Sequence, residues 1–495
     1  MKKRGVVGKS FWVFVFLALL LVLPSWAGAI TVSWTGGNGN WSGSGNWAPG
    51  PPSEGDGIKI IGATVNYDVS DDPKIRELDL DGATFIHDEN TLTLQKHNEQ
   101  DSYLYINNAG SYNLGSNGIL IKGPGEVKIG TDGYGYFIQS GGEFQFSGAM
   151  YLGDDPTGVG TYTMTGGSIV AGPDGPGGIV LGEWGGTGQF LQSGGAVNIE
   201  TLTLARQAGA TGNYLLSDGS LTANTQFIGA VASGTFTQSG GTNTTGTLYV
   251  GSSRGAEGEV NALQGTGTYT LTGSAYLDVT GNLYVGDGGA GTVNHASGLV
   301  FVGGDLIVGK VVSYKDSTAS GTGTYNLSGG TLSVTGNTVV GLDANSYGTF
   351  NQSGGTHEVE KTLFVDSVAA SKGVYNLSGG ALNTKNTIVG SFGDGEFNQG
   401  AGVTSGLTGG ADDGGIHTVA ADLVIGQGAY STGTYNLSGG TLSVTGNTYV
   451  GLDANSYGTF NQSGGTHNAE EVLVGYIGTG TYNLSGGTLS VTGNT

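Results

Sequence analysis

The sequence predicts an all-β fold: a parallel β-helix, or solenoid, with three short strands in each coil of about 22–28 residues. Three observations carry that prediction. The stretch TGTYNLSGGTLSVTGNT stands unchanged at Thr322–Thr338, Thr432–Thr448 and Thr479–Thr495. Around it the pattern Gly-x-aromatic-x-x-x-Gly-Gly recurs in fourteen units from Gly135 to Gly480. Most steps are 22 to 28 residues, with three longer ones of 33, 32 and 38. Inside a unit, apolar residues alternate with a period of two: Tyr325 with Leu327, Leu332 with Val334, and Leu306 with Val308 on a third strand. Gly-Gly and Gly-Asn break the strands, because glycine tolerates the positive φ of a sharp corner. Coils of this kind pair in parallel when stacked and bury one continuous apolar core.

Composition removes the competing classes. Glycine supplies 100 of the 495 residues without an every-third-residue period, so the chain is not collagen. Nine Pro are too few for a polyproline stalk. A hydrophobic share of 37%, with 23 Tyr and 16 Phe spread along the chain, disfavours disorder. Helical and leucine-rich solenoids need segments with a 3.6-residue period, which this sequence lacks.

Residues 1–29 read as an export signal. Lys2, Lys3, Arg4 and Lys9 precede an apolar run from Phe11 to Leu23, and Ala27-Gly28-Ala29 places cleavage before Ile30. Losing those four cations leaves 13 Lys+Arg against 39 Asp+Glu, a charge of −26. Such acidity argues against nucleic acid and anionic membranes as partners. With no Cys, stability after export rests on packing alone.

Residues 30–57 form a Trp/Gly-rich N-terminal cap, in which Trp34, Trp41 and Trp47 lie among Gly/Asn turns. They read as an apolar lid over the first coil; the alternative is stacking on sugar rings. Residues 58–130, with Lys59-Ile60-Ile61, Leu78-Asp79-Leu80 and Leu92-Thr93-Leu94, are irregular first coils. Residues 131–495 are regular coils, interrupted by insertions near 252–266, 310–322 and 400–414. The last copy of the repeat stops before the Val-Gly strand that follows it elsewhere, so the chain is expected to be truncated at its C-terminus.

The units alternate in type. Tyr/Leu coils (Tyr325/Leu327, Tyr375/Leu377, Tyr435/Leu437) follow Phe/Gln coils (Phe350/Gln352, Phe397/Gln399, Phe460/Gln462), and Val293/His295 is the exception. The aromatics are expected to stack in a column, each Tyr hydroxyl bonding the Gln side chain of a neighbouring coil. A buried amide without a partner costs about 1–3 kcal/mol, which favours alternation over random mixing. The competing explanation is duplication in blocks of two units.

Taken together, GTYNLSGGTLSVTGNTVVG, GTFNQSGGTH and the opening WTGGNGNWSGSGNW resemble the autotransporter-associated β-strand repeats, also called type V secretion or PEP-CTERM-associated repeats. The resemblance covers roughly residues 30–495. It implies a right-handed β-helix on an exported bacterial surface protein, at a Gram-negative outer surface. Neither a translocator barrel nor a PEP-CTERM sorting segment is present, which leaves the secretion route open.

Chemistry-bearing residues are sparse. His357, His417 and His467 each follow a Gly-Gly-x corner, with Glu358, Glu360, Glu470 and Glu471 nearby. Successive members stand two coils apart, roughly 9–10 Å at strand spacing, so two cannot share a zinc ion. They read as repeated corner histidines, and no metal or other cofactor is expected. Asp71-Asp72, Asp154-Asp155 and Asp412-Asp413 sit in turn-like contexts and read as solvated corners. VGDGGAG and GSFGDGE only echo a calcium-binding β-roll, and Thr161/Thr163, Thr268/Thr270 and Thr335 give a patchy ladder for ice. The insertions, with Arg254, Lys310 and Lys315, are the places where a loop function is expected. The sequence therefore points to a secreted or surface-attached structural, adhesin-like scaffold without catalysis. Its expected partners are glycans, host or neighbouring-cell surfaces, its own C-terminal anchor, or further copies end to end. The alternative is a carbohydrate-active β-helix protein, either a polysaccharide lyase or hydrolase or a glycan binder.

Overall fold

The computed structural model describes residues 30–172, 177–254, 264–314, 317–400 and 414–493. The export signal, Lys315 and Asp412-Asp413 lie outside the described residues. The chain winds into a parallel β-solenoid of about 17 turns, nearly all β. At ~4.8 Å per turn this is a rod on the order of 80 Å.

One coil shows the construction. A first strand, Thr322–Leu327, buries Tyr325 and Leu327; a second, Thr331–Val334, buries Leu332 and Val334; a third, Thr338–Val340, buries Val340. Each strand pairs in parallel with its counterparts in the coils before and after. The corner between first and second strands needs both glycines. A Cβ on Gly329 would lie 2.4 Å from the Ala296 carbonyl oxygen, and Gly330 adopts φ +78°. Elsewhere the corners are shallow enough for strands to run through them, as in Thr187–Leu204 and Thr211–Ile228. The irregular segment 58–130 joins the same ladder, Gly57–Ile61 pairing with Glu77–Asp81 and Thr84–Leu94 with Gly110–Lys122.

The aromatic column runs from Tyr112 to Tyr269 and resumes from Tyr325 to Tyr482, its rings 4.6–5.0 Å apart and near parallel. Val293 interrupts it. At the N-terminal end Thr31–Trp34 turns back antiparallel on Trp47–Ala48. Trp47 meets both Trp34 and Trp41 edge-on at 4.7 Å, and Trp41 continues to Tyr67 and Phe85. All three indoles are buried, and Trp34 and Trp47 donate their N–H to the carbonyls of Gly37 and Trp41. Stacking on sugar needs an open ring face, which these Trp do not offer. They close the end of the core.

Candidate functional site

The residues that repeat form a polar thread inside the apolar core. In every Phe/Gln pair the Tyr of the next coil donates its hydroxyl to the Gln: Tyr162 to Gln139, Tyr214 to Gln192, Tyr269 to Gln238, Tyr375 to Gln352, Tyr435 to Gln399 and Tyr482 to Gln462, at 2.6–2.7 Å. Each amide nitrogen then donates to backbone carbonyls of its own corner and of the next coil, as Gln352 does to Gly355 and Ala381. Where a coil lacks Gln, imidazole takes its place. Tyr112 lies 2.6 Å from His87 Nδ1, and Tyr325 lies 3.1 Å from His295 Nδ1. Their Nε2 atoms face the carbonyls of Asn90 and Gly298, which fixes the Nε2–H tautomer.

The leucines of the repeat belong to the core and to no site. Leu377 stands in register between Gln352 and Gln399, and Leu437 between Gln399 and Gln462. Both are fully buried, as Leu327 is, and an isobutyl side chain has no group to give the thread. In the Tyr/Leu coils the thread therefore passes through the Tyr hydroxyl, while Leu377 and Leu437 fill the space between successive amides. Their repetition marks packing, not chemistry.

His357, His417 and His467 are core residues, and this corrects their assignment to corners. The position after Gly-Gly-x is the first inward residue of the second strand, in register with Leu332, Leu382, Leu442 and Leu489. Each imidazole stacks on its coil's Phe at 4.7–5.0 Å. Nδ1 lies 3.0–3.1 Å from the hydroxyls of Tyr375, Tyr435 and Tyr482. Nε2 lies 3.1–3.2 Å from the hydroxyls of Thr338, Thr387 and Thr448 in the preceding coils. Because each Tyr proton goes to Gln, Nδ1 must donate and Nε2 must accept, the tautomer opposite to that of His87 and His295. Burial pushes His357 and His417 down to about 3 and His467 to about 4, so all three are neutral at physiological pH. An earlier coil builds the same thread from amides: Asn243 donates to Tyr269 and exchanges hydrogen bonds with Gln226.

Of two outer ladders, one escaped the sequence reading and the other was read as patchy. Asn294, Asn326, Asn351, Asn376, Asn398, Asn436, Asn461 and Asn483 hand one amide hydrogen bond from coil to coil at 2.8–3.0 Å. Their shared place in TYNLSGG and TFNQSGG was the available signal. Beside them Thr235, Thr268, Thr292, Thr324 and Thr349 stand in register, a longer Thr row than the sequence suggested.

Charged groups are tied down at the corners. Asp72 Oδ1 accepts the backbone N–H of Lys74 and Thr93, and Asp154 pairs with Lys128 at 2.8 Å. Glu183, 1% exposed, faces Arg206 Nε at 3.1 Å without a hydrogen bond to either oxygen; burial, opposed by Arg206, pushes it up to about 7. Two of the three cations read as belonging to functional loops are anchored instead. Arg254 and Lys310 both hold the buried Asp287, at 2.7 and 3.0 Å, and lie over Tyr249 and Tyr284. They brace the roots of their insertions, and the second insertion contains a hairpin of Val312–Tyr314 with Ser317–Ala319. Among the described residues no cluster of His, Asp and Glu is placed to hold a metal ion.

Known proteins add nothing to this geometry. The chain matches no family model, no curated protein and no solved structure. Function then rests on the fold and on surface chemistry.

Proposed function

We propose that the chain is an exported, surface-attached rod, an adhesin-like scaffold whose length and lateral display are its function. One observation carries this reading: the duplicated Tyr, Gln, His and Thr bond one another inside the core. Duplication therefore adds length with these polar groups already satisfied inside the core. The leader-like residues 1–29 and the resemblance to exported surface repeats give the same setting. The test is to display chains from Ile30 with two coils added or removed, measuring length by small-angle scattering and adhesion to cells. Each pair of coils is expected to change the length by about 10 Å, with adhesion following reach. Release of new reducing ends from polysaccharide would overturn the reading.

A second reading, cleavage of polysaccharide, draws on Glu183, whose carboxyl burial pushes up to about 7, and Asp154, paired with Lys128. It requires Glu183 to become accessible, and Glu183→Gln should then abolish product release.

A further inference from the structure

The ridge where the third strand passes to the first carries a notch. The turn advances seven residues from Asp366 to Gly373 and again from Gly426 to Gly433, but only five from Gly390 to Gly395 between them. This short turn is the GSFGDGE stretch. Gly393 makes it possible: a Cβ there would lie 2.5 Å from Oδ2 of the buried Asp366. On the face of the first strands beside it lies a groove of about 450 Å³, lined by Ser371, Lys372, Asp394, Glu396, Thr432 and Thr434. Asp394 and Glu396 occupy the positions that are Thr432 and Thr434 one coil later, so two carboxylates mark this coil alone among its neighbours.

Large aromatic side chains stand exposed on the neighbouring turns and strand starts. Phe392, two residues before Asp394, is 54% exposed, and Tyr430, two residues before Thr432, is 79% exposed. Tyr347 and Tyr457, 53% and 51% exposed, lie in register with Asp394 two coils before and after. The row from Tyr347 to Tyr457 spans about 19 Å along the rod.

These features select a ligand class. A peptide added as a strand needs a free sheet edge, and Asp394–Gln399 is already paired on both sides. A polyanion meets two carboxylates on a chain of net charge −22. A purely apolar ligand would leave the Lys, carboxylate and Thr groups of the lining unpaired. A sugar chain offers hydroxyls to those groups and flat C–H faces to the aromatic rings, whose exposure in water is otherwise unfavourable.

We infer that this notch binds an uncharged linear oligosaccharide laid along the rod. The inference deepens the scaffold reading, on which it rests for its setting, by naming what the surface recognises. The test titrates the chain from Ile30 calorimetrically with cellohexaose, xylohexaose, mannohexaose, laminarihexaose and chitohexaose. At least one should bind. Phe392→Ala with Tyr430→Ala should weaken that binding at least tenfold, and so should Asp394→Thr with Glu396→Thr. The second pair installs the residues of the adjacent coil, so the fold is kept, as circular dichroism would verify. Failure of all five sugars, or unchanged binding by both double variants, overturns the site. Cell adhesion by a chain that binds none of the five sugars overturns the notch and leaves the scaffold reading standing. Sugar binding by a chain that mediates no adhesion does the reverse.

Discussion

Two coils solve the same packing problem with different chemistry. In the coil of Phe137 and Gln139, the first inward residue of the second strand is Phe144, stacked on Phe137 at 5.2 Å. In the coil of Phe350 and Gln352, His357 holds that place, stacked on Phe350 at 4.7 Å. Both coils offer a Gln acceptor to the following Tyr. The imidazole adds a third partner, and it brings a requirement with it. Its Nε2 is buried and needs a donor, which Thr338 supplies from the coil before. In the Phe144 case the matching column position is Val127. A ring can be swapped for a ring only when its partner one coil back changes too.

Acid should separate the two regions most strongly. Histidines held near 3 to 4 when folded and near 6.5 when unfolded bind protons preferentially in the unfolded chain. Their contribution is complete above about pH 6.5 and is lost as pH falls toward 4, on the order of 3 kcal/mol each. Asp366, pushed up to about 7 by burial, works in the opposite direction and offsets about one of the three. Hydrogen exchange at pH 4.5 against pH 7.5 should therefore show the coils of residues 331–493 opening before those of 103–252. A uniform loss of protection would break the comparison.

A smaller effect tests the pairing of ring and partner. Phe144→His alone should destabilise by about 1–3 kcal/mol, because it buries an unsatisfied ring nitrogen. Adding Val127→Thr should recover most of the loss in thermal midpoint; purely additive effects would show that the coupling is absent. Smallest is the contrast between two hydroxyl deletions. Tyr375→Phe leaves Gln352 Oε1 and His357 Nδ1 unpaired, whereas Tyr162→Phe leaves only Gln139 Oε1. The first should cost more by about 1 kcal/mol in denaturant melts.

The Tyr–Gln bond was legible in the sequence because it joins residues at the same step of successive units, where alternation is visible. The Thr–His bond was not: Thr338 and His357 lie on different strands of different coils, and no single-unit pattern joins them. Aligning THEV of the His357 coil with TLSV of its neighbour places the imidazole inward, where the run of glycines before it had suggested a corner. The Trp lid followed from composition and position. The groove lies beside a short turn whose Gly393 backs onto Asp366, a detail of three-dimensional fit that periodicity does not encode.

The hydroxyl-to-amide bond also sets a parity rule for how such a chain can grow. Acceptor coils (His87, Gln139, Gln192, Gln238, His295, Gln352, Gln399, Gln462) strictly alternate with Tyr coils, and the exceptional Val293/His295 coil keeps the count. Gaining or losing one coil would set Gln against Gln or Tyr against Tyr and leave buried groups unmatched. Gaining or losing two costs nothing at the junction. The three identical stretches begin coils that are four and then two apart, both even numbers. A hydrogen bond inside the core thus acts as an error check on recombination outside it.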